Sequence, residues 1–337
     1  MTSRVPAEDS EVAAAWWRRV ARVLAVAFGV FGSAAGATPN TFAIPDLPAF
    51  STTLIAEAQG YIAAELPDLK IIHCVNGKRC LKHLLDGEAQ FAAAADTPIV
   101  LASLAGARFE LLATLSTTSR ENHFIGRADR DIRSAADLKG KRIGVVKGTS
   151  GHYFADSMLL FHGIRLSEVT LVGLDAADAV SPLVRGDVDA AGLYQPHGYQ
   201  ASRRLGANAV NIPNPRIFTM NVNLVGVTGT NRPRDEDAVK LLRALRRANA
   251  FIAAEPASAR AIVAARLRLD PAELDDIWGD FDFEMSLNQP LVTTLEAQAR
   301  WALREKVVPE ASMPDYLDYI TVEPLRALDR KLVNIVK

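Results

Sequence analysis

The chain has 337 residues, 49% of them hydrophobic and 23% charged, with a formal net charge of −1. That is the balance of a globular protein large enough for two domains. Near-neutral charge gives no electrostatic footprint for nucleic acid, which needs a clustered basic face, and no nucleic-acid partner is expected.

The N-terminal stretch differs in kind from the rest. Arg18, Arg19 and Arg22 precede an apolar run over residues 23–37 that ends Ala35-Gly36-Ala37. Basic, apolar and small-x-small segments in that order are the layout of a secretory signal peptide, so residues 1–37 read as a leader cleaved after Ala37. A membrane anchor is the alternative, but a span needs about 20 apolar residues, and this run is shorter and rich in Gly and Ala. Arg18-Arg19 also raises twin-arginine export, without the large apolar residues that usually follow such a pair.

Short apolar runs then alternate with helical patterns over residues 42–212, the sign of parallel strands joined by helical crossovers. Strands are expected at 42–47, 69–75, 91–94, 109–115, 142–146, 169–173, 190–193 and 223–227, most too apolar to have a wet face. Cys74 and Cys80 are the only cysteines. Six apart, they allow a local disulfide in an oxidising compartment, a metal site with His73 and His83, or inert packing; the spacing fits no standard zinc pattern, and inert packing is favoured.

The pattern repeats. Leu85-Asp86-Gly87-Glu88-Ala89-Gln90-Phe91-Ala92-Ala93 reappears as Val184-Arg185-Gly186-Asp187-Val188-Asp189-Ala190-Ala191-Gly192, so that Gly87 maps onto Gly186, an offset of 99. The same offset carries Ile44 to Ile143, Leu47 to Val146 and Ser51 to Ser150. Two similar α/β units imply two lobes facing one another, with ligand bound beyond the carboxyl ends of the strands. The pattern breaks at 115–119 and 212–218, polar and Pro/Asn-rich stretches that read as the two crossovers. Beyond Arg232-Pro233, Ala238, Leu241, Leu242, Leu245, Ala248 and Ile252 recur at helical spacing, and further helices are expected at 271–278, 290–304 and 314–319. This helical tail should pack on the first lobe.

No catalytic constellation stands out. Gly148-Thr149-Ser150-Gly151-His152 has His152 where a nucleophile elbow needs glycine, the glycines from Gly140 to Gly151 fit neither the dinucleotide nor the P-loop spacing, and the six histidines are scattered. The chain instead has turns rich in hydroxyl and amide residues where helices begin: Phe50-Ser51-Thr52-Thr53, Val75-Asn76-Gly77-Lys78, Ala95-Asp96-Thr97-Pro98 and Lys147-Gly148-Thr149-Ser150-Gly151. One such turn is ordinary helix capping; several at the same end of related strands offer unpaired N–H groups to a ligand.

At these residues the sequence resembles the nitrate/sulfonate/taurine family of periplasmic solute-binding proteins, which feed ABC transporters and share a domain with thiamine-pyrimidine-synthesis proteins. The stretch from Asp137-Leu138-Lys139-Gly140-Lys141 through Ile143-Gly144-Val145 to Gly148-Thr149-Ser150 carries the likeness, followed by Asp175-Ala176-Ala177-Asp178 and Gly186-Asp187-Val188-Asp189-Ala190-Ala191. Tyr194-Gln195-Pro196 keeps the family's aromatic and proline but has Gln195 where an acid is frequent, and Asn76-Gly77 stands where paired glycines are frequent.

The resemblance implies a bilobal, periplasmic-binding-protein-like α/β fold of type II, with two parallel-sheet lobes and a two-crossover hinge. Residues 40–117 plus 216–337 would form one lobe and 119–213 the other. It implies capture, without chemistry, cofactor or metal, of a small organic anion such as a sulfonate or of a small nitrogenous compound. Ser51, Thr52, Asn76, Asp96 and Thr97 would hold the ligand from one lobe, and Thr149, Ser150, Tyr194 and Gln195 from the other, with Tyr194 covering it. The partners implied are an ABC permease and a separate ATPase subunit, for a monomeric periplasmic protein. The rival readings are a pyrimidine-precursor binding or synthesis protein on the same fold, and a membrane-tethered sensory domain.

Overall fold

Small side chains dictate the middle of each sheet. Phe91–Ala95 (FAAAA) and Ala190–Tyr194 (AAGLY) are buried along their whole length, which lets helices approach both faces closely. The computed structural model describes residues 40–309 and 311–336; the leader expected over 1–37 lies outside the described residues.

In chain order the first arm holds β1 (Thr41–Pro45), α1 (Ser51–Ala58), α2 (Tyr61–Glu65), β2 (Lys70–Cys74), α3 (Gly77–Leu85), β3 (Phe91–Ala95), α4 (Asp96–Leu104) and β4 (Phe109–Thr118). The second holds β5 (Asn122–Arg127), β6 (Arg142–Val145), α5 (Ser150–Phe161), β7 (Thr170–Gly173), α6 (Ser181–Arg185), β8 (Ala190–Tyr194), α7 (His197–Leu205) and β9 (Ala209–Ile212). The chain returns through β10 (Met220–Val227) and ends in α8 (Asp235–Ala254), α9 (Pro256–Leu267), α10 (Pro271–Trp278), α11 (Gln289–Arg304) and α12 (Glu323–Leu328).

Two five-stranded sheets result, ordered β2-β1-β3-β10-β4 and β7-β6-β8-β5-β9. They are mixed rather than purely parallel: β10 runs against β3 and β4, and β5 against β8 and β9. The register gives the reason. Val222 near the start of β10 pairs with Ala95 at the end of β3, and Asn122 at the start of β5 pairs with Tyr194 at the end of β8. Both returning strands therefore enter their sheets at the carboxyl ends of the parallel strands, which places both crossovers beside the cleft. β5 and β9 were not expected as strands. β4 runs to Thr118, so the first crossover shortens to residues 119–121. α9 was not anticipated either, and the helix expected at 314–319 is a single 3-10 turn, Tyr316–Tyr319.

The 99-residue offset is visible in the fold. It carries β3 onto β8, and the first residue of α1, Ser51, onto the first residue of α5, Ser150. It also carries Gly87 (φ +80°) onto Gly186 (φ +85°), both in the left-handed region that favours glycine. Gly192 is required by packing. A Cβ there would stand 2.6 Å from Ala155 Cβ and 2.9 Å from Gly151 O, so α5 lies against β8 only because residue 192 has no side chain.

Cys74 and Cys80 form a disulfide from the end of β2 to α3, in place of the inert packing favoured from sequence. No helix among the described residues is long and apolar enough to cross a membrane.

Candidate functional site

The four turns singled out in the sequence all begin helices, and all four reach one cavity. Phe50 before α1, Asn76, Gly77 and Lys78 at the start of α3, Ala95 and Pro98 at α4, and Thr149 and Ser150 at α5 line it, together with Leu47, Glu121, Tyr194 and Met220. Helix starts from both sheets therefore border one space, although Ser51 N, Arg79 N and Thr97 N are already taken by Pro48 O, Asn76 Oδ1 and Asp96 Oδ1. The space itself is about 20 Å³, room for little more than one water molecule. Leu47 also lines a wider groove of about 430 Å³ that leads outward between His73, Val75, Ala176 and His197.

The predicted residues divide by where their polar atoms go. Asn76 caps α3 by accepting from Arg79 N at 2.9 Å, and Thr149 Oγ1 donates to Val146 O at 2.7 Å; both border the cavity. Ser150 borders it too, whereas its repeat counterpart Ser51 is buried behind Phe50 and donates to Pro48 O at 2.6 Å. Thr52 Oγ1 is buried without a protein partner. Asp96 and Thr97 are fully buried and serve the frame: Asp96 accepts from Thr97 N, Asn221 N and Asn221 Nδ2 at 2.9, 3.0 and 3.1 Å, and Thr97 Oγ1 donates to Gln298 Oε1 at 2.7 Å. Burial nevertheless pushes Asp96 up to about 6. Gln195 turns away from the cavity, its Oε1 accepting from Tyr199 N at 3.0 Å and its Nε2 lying 2.9 Å from His123 Nε2.

Tyr194 ends β8 with 3% of its surface exposed. Its hydroxyl lies beside Asn76 without reaching hydrogen-bond geometry and has no partner. The residue that the sequence did not single out is Glu121, in the short first crossover, also 3% exposed, with Oε2 unpartnered. Burial first, then the charges of Asp96 and Asp280, raise it to about 8. A signal was present: the 99-residue offset pairs Glu121 with Met220, the first residue of β10, and both line the cavity.

Among the described residues, side-chain hydrogen bonds tie the two sides of the cleft. Lys78 Nζ donates to Lys147 O at 2.8 Å, Trp301 Nε1 to Asp156 Oδ2 at 3.1 Å, and Gln200 Nε2 to Glu273 Oε1 at 2.9 Å. Near the first of these sits His152, lowered to about 4 by burial and by the Lys147 and Lys78 ammonium groups. Lys78 and Glu121 thus border the same cavity, with the Lys78 ammonium given to Lys147 O. A second groove, of about 380 Å³, lies where α11 meets the second crossover, lined by Thr114, Thr117, Phe218, Asn221 and Thr294 among others; none of the predicted residues reaches it. No cluster of side chains suited to a metal ion occurs among the described residues.

Residues 47–259 match the family model described as NMT1/THI5 like. A protein of Brucella abortus (strain 2308), named as a binding protein, is 30% identical over 158 residues, 44% of this chain and 47% of its own length, so the chain spans about half the length of the curated relatives it matches first. Among solved structures, the alkanesulfonate-binding protein SsuA from Xanthomonas axonopodis pv. citri, bound to MOPS, superposes with a TM-score of 0.71 at 19% identity, covering 86% of this chain and 100% of that one. The desulfurization enzyme DSZB also superposes, with a TM-score of 0.61 at 18% identity, covering 87% of this chain and 99% of that one. These likenesses establish a bilobal binding-protein fold, which both a binder and an enzyme can use. With well over half its length inside the family model, the chain belongs to the NMT1/THI5-like family.

Proposed function

We propose that this protein captures a small solute in the cleft, leaves it chemically unchanged and delivers it to the permease of an ABC importer whose ATPase is a separate subunit. The convergence of four helix starts from both sheets on one cavity carries the reading, because such ends hold a polar ligand without a reacting side chain. The alkanesulfonate-binding neighbour supports a solute role, and the ligand is a small organic anion or a small nitrogenous compound. In this reading residues 40–117 with 216–337 and residues 119–213 are the two lobes. The crossovers, expected at 115–119 and 212–218 and lying at 119–121 and 213–219 between the strands, are the hinge, and closure traps the ligand. Removal of the leader over 1–37 places the mature protein outside the cytoplasm.

A thermal-shift screen of sulfonates, nitrate, carboxylates, amines and pyrimidines tests this, since a ligand that binds only the folded state raises its melting temperature. At least one small solute should stabilise the protein, be recovered unchanged by mass spectrometry, and lose its effect in Ser150→Trp, which fills the cavity. A ligand recovered in altered form would make the protein an enzyme. Stabilisation that survives Ser150→Trp would put the site elsewhere.

A further inference from the structure

Resting on the solute-capture reading, the inference here concerns which solutes the cleft accepts. We infer that Glu121 is its specificity-determining residue and selects a ligand carrying a protonated nitrogen, an amidinium or ammonium head whose N–H groups donate to the Glu121 carboxylate and the Tyr194 hydroxyl oxygen.

Three carboxyl groups gather at that end of the cleft, and their partners differ. Asp96 is held by three N–H donors, and Asp280 pairs with Arg120 at 3.4 Å. Among the described residues no cation pairs with Glu121 and its Oε2 has no partner, and the unpartnered Tyr194 hydroxyl belongs to a residue that lines the same cavity and feels the Glu121 charge. An acid buried this deeply is costly to ionise alone, and a ligand bringing both charge and N–H donors removes that cost. An anion at the same place would lie beside the charges of Asp96 and Asp280, with a protonated Glu121 as its only acidic donor. Lys78 lines the cavity too, but its ammonium donates to Lys147 O at 2.8 Å, and its charge acts with that of Lys147 on His152.

Isosteric probes of opposite sign decide the matter: acetamidinium against acetate, with 4-aminopyrimidine against pyrimidine as a neutral-ring pair, measured by calorimetry on the wild-type chain and on Glu121→Gln. Acetamidinium should bind the wild type about tenfold or more tighter than acetate, and Glu121→Gln should erase most of that preference. On the wild type its affinity should also rise from about pH 6 to about pH 8 as Glu121 ionises, and that rise should vanish in Glu121→Gln. The comparison within the wild type stands even if the variant folds poorly. Acetate binding as well as acetamidinium, or a preference unchanged in Glu121→Gln, would overturn the role of Glu121 while leaving solute capture intact. Failure of every probe and of the wider screen would remove the solute-capture reading and this one with it.

Discussion

Residues 41–104 and 142–205 are two versions of one frame, and they part company where the strands reach the cleft. The offset of 99 aligns β3 with β8 and the start of α1 with the start of α5. At the strand ends it sets Ala95 against Tyr194 and Asp96 against Gln195, and Glu121 of the first crossover against Met220 at the start of β10. One half thus contributes a methyl group and a carboxylate locked into the frame. The other contributes an aromatic ring that fills the cavity and an amide turned away from it. Symmetry of fold supplies the cleft, and loss of symmetry at a few side chains supplies its chemistry.

The largest test of that contrast is at the aromatic position. Tyr194→Ala makes the second strand end like the first, and by analogy with other buried aromatics should cost about 3–5 kcal/mol. Urea unfolding would read it, and a loss near zero would mean the ring is not part of the packing. The pair Glu121 and Met220 comes next. Glu121 rises from an ordinary 4.5 to about 8 in the folded chain, so the folded state holds an extra proton between those values. That contribution is full below about pH 4.5 and is lost as pH rises through about 8, on the order of a few kcal/mol. Asp96 and Asp156, also raised by burial, push the same way. Glu121→Met, which gives position 121 the side chain of Met220, should therefore flatten only part of the slope and stabilise the free protein most at alkaline pH. Equal slopes in variant and wild type would show that Glu121 is paired.

Smaller effects follow at the polar strand ends. Asp96→Ala strands the Asn221 donors inside the protein and should cost about 1–3 kcal/mol, whereas Gln195→Ala frees one backbone N–H and should cost about 0.5–1.5 kcal/mol. The reverse order, measured by the same unfolding, would mean that Gln195 anchors its half more firmly than Asp96 does. The helix–strand contact gives a related pair. Gly192→Ala should lose about 1–3 kcal/mol to overpacking against Ala155. Its counterpart Ala93 already carries a Cβ, and Ala93→Gly should lose only about 0.5–1 kcal/mol.

Much of this architecture was legible in the chain because apolar runs, glycine turns and a constant offset are local signals. Phe91–Ala95 and Ala190–Tyr194 could hardly be anything but buried strands. β5 was not legible, since Asn122, His123 and Arg127 leave only Phe124-Ile125-Gly126 between them, and β9 is short with Asn211 inside it. Both pair with partners far away in sequence, which a local reading cannot see. Site residues were harder. Ser51 and Ser150 look alike in sequence, yet only Ser150 lines the cavity, because orientation depends on packing that no spacing reveals. Glu121 was hidden as one acid in a polar stretch. The disulfide went the other way: two cysteines six apart allow a bridge, and only the turn between β2 and α3 brings them together.

The late return of β10 to the first sheet has a consequence for how the protein comes to exist. β10, made late, lies between β3 and β4, made early, while the second sheet is drawn entirely from residues 122–212. The first sheet is not continuous until the chain has built the second and come back. Residues 40–118 alone would leave β3 and β4 without the strand that joins them, so half of this molecule is not a smaller version of it. The first sheet's assembly is set by contacts distant along the chain, which makes its folding slow relative to a helical bundle of the same length.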